Sequence, residues 1–216
     1  MDTNYAELHC LTNFTFLRGA SHPEELVAQS AVLGYAALAV TDECSLAGVV
    51  RAHLAAKAHG LKLIVGSEIR LTDGPRLVLL ATNRAGYGNL SALVSHGRRL
   101  AKKGSYALHR TELEAGLPGC LALWVPDRTP NLDNASWLAV RFPETAWIAV
   151  ELHCGPDDRG RLQALRHLGA ASGLPLVAAG DVHMHVRARQ RLQDTLTAIR
   201  LGVSLKDAGY ALYPNG

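Results

Sequence analysis

The eight residues AALAVTDE, at positions 36–43, carry the pattern that decides the fold. The stretch opens with five apolar residues in a row, which is typical of a strand covered on both faces of a sheet. Two acidic residues, Asp42 and Glu43, follow where that strand should end. Apolar residues recur at helical spacing before the stretch, through 26–33, and after it, through 46–54. This alternation of helix and strand predicts a parallel βα arrangement.

The same alternation continues along the whole chain. Strands are expected at 6–11, 36–41, 61–65, 76–81, 120–125, 147–152 and 176–179. Helices are expected at 21–34, 46–60, 87–94, 158–172 and 186–201. Seven strands in such an order predict one α/β domain built as a small closed or nearly closed barrel. An open doubly wound sheet is the alternative, because periodicity cannot show closure.

Composition and charge exclude several classes of protein. The chain has 216 residues, of which 48% are hydrophobic and 19% charged, so it can bury enough apolar surface to avoid disorder. The longest uncharged stretch, 26–41, is shorter than the about 18 apolar residues of a membrane span. The first residues lack the basic and apolar regions of a secretory signal, so a cytoplasmic location is expected. A net charge of +3 does not by itself indicate nucleic-acid binding.

Polar residues cluster directly after the apolar runs. They are His9, Asp42, Glu43, Glu68, Glu151, His153, Asp181 and His183. In a closed parallel barrel the carboxyl ends of the strands converge on one mouth. Histidines and carboxylates suit Zn²⁺, Mn²⁺ or Fe, and such ions can activate water against a phosphoester.

Each of these residues also has a structural interpretation. Asp42 and Asp181 could cap the helices that follow their strands. Glu68 could pair with a nearby cation, and His9 alone could be a satisfied core histidine. Cys120 begins an expected strand, where core packing is the usual role of a cysteine. Only the joint placement of the set favours a metal site.

Several stretches of the chain carry a family resemblance. They are ELHCLTNF at 7–14, VTDECSLAG at 40–48, VGSE at 65–68, LLA at 79–81, GYGNL at 86–90, ELH at 151–153 and GDVH at 180–183. With these stretches in order, the chain resembles the PHP (polymerase and histidinol phosphatase) domain of bacterial C-family DNA polymerase III alpha subunits. More narrowly, it is similar to the domain of their error-prone, damage-tolerant paralogue. The resemblance implies a distorted seven-stranded (β/α) barrel of the PHP type.

The resemblance also implies a metal-binding pattern, from which this chain departs. The second histidine of the family's first motif falls on Leu11, and two further ligand positions fall on Arg18 and Arg76. The ligand positions that the resemblance retains are His9, Asp42, Glu43, Glu68, Cys120, Asp181 and His183. A guanidinium cannot serve as a metal ligand, but it could stand in for a metal's charge or pair with Asp42 or Glu68.

A full trinuclear centre is therefore not expected. A reduced site with one or two Zn or Mn ions, built from His9, Glu68, Cys120, Asp181 and His183, and a chain with no metal both remain open.

Two functions follow from the resemblance. In the first, residues 1–205 form the N-terminal PHP domain of an error-prone DNA polymerase that acts in DNA replication and damage-induced mutagenesis, and residues 206–216 begin the connection to downstream polymerase domains. The domain is then mainly structural, the polymerase active site lies outside this chain, and no membrane is involved. In the second, the chain is a metal-dependent phosphoesterase, either a 3′–5′ exonuclease or a histidinol-phosphatase-like enzyme.

The first function implies DNA as a partner, and a cluster of basic residues is a candidate for contacting it. The cluster comprises Arg98, Arg99, Lys102, Lys103 and Arg110. Its members could face DNA phosphates or a neighbouring domain. They could equally be the solvated end of a helix, since cations favour helix C-termini.

Overall fold

The computed structural model describes residues 5–212, and within them the chain alternates between short strands and helices. The strands are β1 (Ala6–Glu7), β2 (Ala37–Val40), β3 (Lys62–Arg70), β4 (Arg76–Ala81), β5 (Cys120–Val125), β6 (Ala146–Val150) and β7 (Leu176–Ala178). The helices are α1 (Pro23–Val32), α2 (Val49–His59), α3 (Arg84–Arg99), α4 (Leu132–Arg141), α5 (Asp158–Ser172), α6 (Gln190–Leu201) and α7 (Leu205–Ala208).

The seven strands of the described chain lie in one sheet in sequence order, from β1 to β7. All neighbours are parallel except around β4, which is antiparallel to both β3 and β5. The parallel arrangement that the alternation of helix and strand predicts therefore does not hold at β4, while the seven-stranded barrel itself is confirmed. Only residues 71–75 connect β3 to β4, and a parallel connection needs a crossover of a dozen or more residues. Because β4 is reversed, Arg76 at its start lies at the edge where the parallel strands end.

Contacts between the first and last strands nearly close the sheet into a barrel, which confirms the expected closure over the open alternative. Cys10 and Val182 form a parallel bridge. Val182 N–H donates to His9 O at 2.9 Å, and Leu11 N–H donates to Val182 O at 2.8 Å. On the same seam the buried Glu7 carboxylate accepts hydrogen bonds from the N–H groups of His9 and Gly180, at 2.8 and 2.9 Å.

The barrel interior changes from apolar at one end to charged at the other. Alternate residues of a strand share one face, so single strands show the gradient. From the amino end of the barrel to its mouth, the inward residues are Ile64, Gly66 and Glu68 on β3, Leu80, Val78 and Arg76 on β4, and Trp147, Ala149 and Glu151 on and after β6. The middle of the interior is an apolar layer that includes Ala39, Val78 and Ala149.

The outer face of the sheet is covered by helices. The largest apolar cluster, which includes Leu77, Leu90, Trp124, Leu138 and Leu165, lies between the sheet and helices α3 to α5. A second cluster joins β2 to α1 and α2. Burial on both faces explains why the strands are nearly continuous apolar runs.

The expected boundaries at 76–81, 120–125 and 158–172 are confirmed. Strand β3 continues to Arg70, so Glu68 lies within a strand instead of after it. Helix α4 was not expected, and α6 begins at Gln190 after a short 3-10 turn at Arg187–Arg189. The expected connection at 206–216 lies partly outside the described residues. None of the described helices combines the length and hydropathy that crossing a membrane requires.

Candidate functional site

A cluster of charged side chains occupies the mouth of the barrel. His9 follows β1, Glu68 and Arg76 lie on the β3–β4 hairpin, Glu151 directly follows β6, and Asp181 lies in the loop after β7. His9, Glu68 and Glu151 are all at most 4% exposed. The expectation that strand ends bring acidic and imidazole groups together is confirmed for these residues.

The imidazole of His9 is the centre of the cluster. Its Nδ1 lies 2.7 Å from Glu151 Oε1 and 3.6 Å from Asp181 Oδ1, while its Nε2 lies 3.0 Å from Glu68 Oε2. Burial would lower the pKa of His9, but the charges of Asp181 and Glu151 outweigh burial and raise that pKa well above its ordinary value. A charged imidazole can donate a hydrogen bond from each ring nitrogen, here to Glu151 and to Glu68.

Arg18 inserts a second cation from the loop between β1 and α1. Its Nη1 lies 2.6 Å from both Glu43 Oε2 and Glu68 Oε1, and its Nη2 lies 3.2 Å from Glu68 Oε2. Burial alone would raise the pKa of Glu68, but the hydrogen bond from His9 and the charge of Arg18 hold that pKa well below its usual value. The alternative that Arg18 pairs with Glu68 is thereby confirmed.

Arg76 completes the charge balance of the mouth. Its Nη1 lies 3.5 Å from Glu68 Oε2, and its Nη2 lies 4.0 Å from Glu151 Oε2. Together with His9 and Arg18 it provides three cations against the four carboxylates Glu43, Glu68, Glu151 and Asp181. The mouth is therefore close to neutral without any bound ion.

The Asp181–His183 pair lies on the β7 side of the mouth. His183 Nε2 is 3.0 Å from Asp181 Oδ1, and His183 Nδ1 is 3.3 Å from Gln193 Nε2 on α6. Asp181 adopts a left-handed backbone conformation with a φ of 47°, which few residues other than glycine tolerate. The chain therefore accepts backbone strain where it turns this carboxylate into the mouth.

One set of donors could hold a metal ion. A ring nitrogen of His9 and carboxylate oxygens of Glu151 and Asp181 all lie within 4.8 Å of one another. Imidazole and carboxylate donors suit Zn²⁺ or Mn²⁺, and a Glu68 carboxylate on the far ring nitrogen is a usual partner of a metal-bound histidine. The residues therefore fit one ion, provided that His9 loses a proton. They do not fit a multinuclear centre, because Arg18 and Arg76 occupy the remaining carboxylates.

Two residues of the expected ligand set lie outside this cluster. The carboxylate of Asp42 accepts hydrogen bonds from Thr12 N–H at 2.8 Å and from the Thr15 hydroxyl at 2.6 Å, so it fastens the loop that carries Arg18. Cys120 begins β5, a strand that runs towards the mouth, so its thiol lies at the opposite end of the barrel. Its Sγ is 3.4 Å from Gly86 O, and burial raises the pKa of the Cys120 thiol to about 11. The expectation of Cys120 at the metal site is therefore wrong.

The basic cluster is divided by the structure. Arg98 donates from Nε to Cys44 O at 3.0 Å and from Nη2 to Glu43 O at 3.1 Å, and its guanidinium stacks on Tyr106. Arg110 stacks on Trp137 and pairs with Asp133. These contacts join both guanidinium groups to neighbouring parts of the fold, but Arg98 is exposed, so DNA contact by Arg98 stays a prediction. Arg99, Lys102 and Lys103 are exposed, and DNA contact by them stays a prediction.

Glu151 was missing from the expected ligand set. It is one of the polar residues that directly follow an apolar run, so its position in the sequence indicated it, but the ligand set that the resemblance implies left it out. The family pattern drew attention to Cys120 instead.

Comparisons with known proteins agree with this fold. The family model described as PHP domain matches residues 7–149. The error-prone DNA polymerase of Dechloromonas aromatica is 64% identical over 217 residues, which cover 98% of this chain and 21% of that protein. The error-prone DNA polymerase of Pseudomonas aeruginosa is 56% identical over 212 residues, covering 98% of this chain and 20% of that protein. The chain thus spans about a fifth of the length of these curated relatives.

Two solved structures share the fold. A putative metal-dependent phosphoesterase from Bifidobacterium adolescentis has a TM-score of 0.61 at 18% identity, covering 84% of this chain and 88% of that chain. An amidohydrolase from Chromobacterium violaceum, solved with sulfate and no metal, has a TM-score of 0.59 at 14% identity, covering 83% and 87%. At such low identity these neighbours show the shared architecture alone.

Proposed function

The chain belongs to the PHP domain family, and we propose that it is the PHP domain of an error-prone DNA polymerase, in which it serves mainly as a structural unit. The support is its high sequence identity to error-prone DNA polymerases that are about five times as long. On this proposal the carboxylates that catalyse DNA synthesis lie in the other parts of those proteins. On this proposal its partners are the downstream domains of the same chain and DNA, and it works in the bacterial cytoplasm, where replication takes place. Residues 1–205 make up the domain, and the connection begins at 206.

The observation that carries a structural role is the position of Arg18. Its guanidinium lies between Glu43 and Glu68, 2.6 Å from an oxygen of each. A metal ion on those carboxylates would have to displace a buried, bidentate ion pair and would meet a like charge. The mouth therefore works as an ion-paired layer that fixes the strand ends and the loops between them.

A second function rests on the donors of His9, Glu151 and Asp181. If these residues hold one ion, with His183 beside them, the chain could be a metal-dependent phosphoesterase. A bound Zn²⁺ or Mn²⁺ would supply Lewis acidity and lower the pKa of a bound water. Glu68 would keep the His9 ring oriented through its Nε2, and the two arginines would remain to contact phosphate oxygens.

Metal content and nuclease activity together test the proposal. The chain is loaded with Zn²⁺ or Mn²⁺, desalted and measured by elemental analysis, then assayed for 3′–5′ exonuclease activity on single-stranded DNA. We expect at most one ion per chain and activity no higher than that of Asp181→Asn. Cys120→Ala is the matched control, because Cys120 lies away from the cluster and should leave the ion content unchanged.

Two outcomes decide against the structural role. Two or more ions per chain would show that the arginines do not exclude a multinuclear centre. One ion, with exonuclease activity that disappears in Asp181→Asn and persists in Cys120→Ala, would establish the phosphoesterase instead.

A further inference from the structure

A second concave feature lies in the barrel, at the end opposite the mouth. It is a cavity of about 800 Å³, within the usual range for sites that bind small molecules. Its walls come from the amino-terminal parts of the parallel strands and from the end of β4, and they include Leu8, Ile64, Leu80, Trp147 and Val177. The interior of a small barrel is normally filled by its own side chains, so this volume needs an explanation.

The cavity is separate from the charged cluster. The apolar layer of Ala39, Val78 and Ala149 lies between them and is almost completely buried. Gly66 lies at the same level of the barrel, where a larger residue would not fit, because its Cβ would lie 2.6 Å from Leu80 Cδ2. None of the mouth residues lines the cavity, so a ligand in the cavity would contact a different set of side chains.

The walls of the cavity are apolar and incompletely buried. Leu8, Leu121, Trp147 and Val177 point into the barrel, yet each is only half-buried. An apolar chain in this space would remove that surface from water, at about 0.8 kcal/mol for each methylene group buried. The largest contribution to binding would therefore come from a flexible hydrocarbon.

The rim of the cavity carries a charged residue that could bind the polar end of a ligand. Arg84 is the only charged residue among those that line the cavity, and its guanidinium has no hydrogen-bond or ion-pair partner within residues 5–212. It is the first residue of α3, a 16-residue helix whose amino end carries the positive pole of its dipole. Asn83 already caps that helix through Gly86 N–H. The rim thus carries one exposed positive charge that pairs with no carboxylate of residues 5–212.

We propose that this cavity binds an amphiphilic monoanion, with a hydrocarbon chain inside the barrel and a carboxylate at Arg84. The class of ligand is a medium-chain carboxylic acid. The site is independent of the function proposed for the mouth, because no residue is shared between them.

Binding can be followed through Trp147, which lines the cavity, whereas Trp124 and Trp137 are buried in the cluster beneath the helices. The probes are octanoate, decanoate, decanol and decylamine, each below its micelle concentration. We expect decanoate to quench the fluorescence saturably, with an affinity about fourfold higher for each added methylene between octanoate and decanoate. The quench should be absent in Trp147→Phe.

Two variants separate the cavity from the rim. Val177→Phe places a larger side chain in the open volume and should abolish binding, with Leu121→Phe as a second filling variant if the first does not fold. Arg84→Gln should weaken the binding of decanoate about three- to fivefold, to the affinity of decanol, and should leave the affinity for decanol unchanged. Arg166→Gln, an exposed arginine on α5, is the matched control and should change nothing.

The proposal is overturned by any of three results. They are no saturable quench by decanoate up to millimolar concentration, binding that persists in both filling variants, or decylamine binding as tightly as decanoate.

Discussion

Replacing Arg18 with glutamine tests the physical basis of the ion-paired mouth most directly. The guanidinium makes three hydrogen bonds of 2.6 to 3.2 Å, one to Glu43 and two to Glu68, and Glu68 is 1% exposed. Removing one partner of a buried ion pair costs about 3–5 kcal/mol, because the remaining charge stays buried. His9 and Arg76 still lie 3.0 and 3.5 Å from Glu68 Oε2, so the lower end of that range applies. Arg18→Gln should therefore lower the free energy of unfolding by about 3 kcal/mol.

The assay is urea unfolding followed by circular dichroism and tryptophan fluorescence at neutral pH. The matched control is Arg51→Gln, since Arg51 pairs with Glu24 at 2.5 Å while both side chains are more than 40% exposed. An exposed pair contributes about 0–1 kcal/mol, so the control should change little. If Arg18→Gln costs no more than Arg51→Gln, the argument that the mouth depends on a buried cation is refuted.

Three further predictions use the same unfolding measurement. Because the folded pKa of His9 is raised above its unfolded value of about 6.5, its contribution to stability is complete below that pH and is lost as pH rises through the folded value. The loss of stability between pH 6 and pH 9 should therefore be smaller in His9→Gln than in the unsubstituted chain. Thr15→Val removes a 2.6 Å hydrogen bond to buried Asp42 and should cost about 1–3 kcal/mol. Gly86→Ala would place a Cβ 1.9 Å from Gly119 O and should cost about 1–3 kcal/mol, whereas Gly88→Ala, with open space on the same helix, should stabilise by up to about 1 kcal/mol.

Each of these predictions has a contradicting result. Equal pH dependence in His9→Gln would show that the imidazole is not the charged group at the centre. An unchanged midpoint in Thr15→Val would mean that Asp42 does not depend on this hydroxyl. Equal changes in the free energy of unfolding in Gly86→Ala and Gly88→Ala would show that the close contact between α3 and Gly119 does not limit the side chain at position 86.

The order and type of the elements were accessible from sequence because they depend on local patterns. The apolar runs at 36–41 and 120–125 and the helical period at 158–172 reflect burial on known faces, and the structure has strands and a helix there. The reversed strand β4 was not accessible in the same way. An apolar run has the same pattern in either direction, and only the short 71–75 connection indicates the reversal.

Local sequence patterns also predicted part of the site. His9, Glu68 and Asp181 were identified because they follow apolar runs in the sequence, and the structure brings them together. Cys120 was placed there by family pattern, although the start of a strand parallel to β6 lies at the other end of the barrel. Position along a strand, more than residue type, decided which side chains could meet.

The sequence by itself determined the seven strands, their alternation with helices and the carboxylates that follow the apolar runs, because each depends on residues close together in the chain, whereas closure into a barrel depends on the distant contact between Cys10 and Val182. Only the tertiary structure decided that Arg18 and Arg76 balance those carboxylates, that both nitrogens of His9 face them, and that an apolar cavity remains beneath. The physical reason is distance, since electrostatic pairing and cavity volume depend on separations of a few ångströms between residues far apart in the chain, such as His9 and Glu151, which are 142 positions apart.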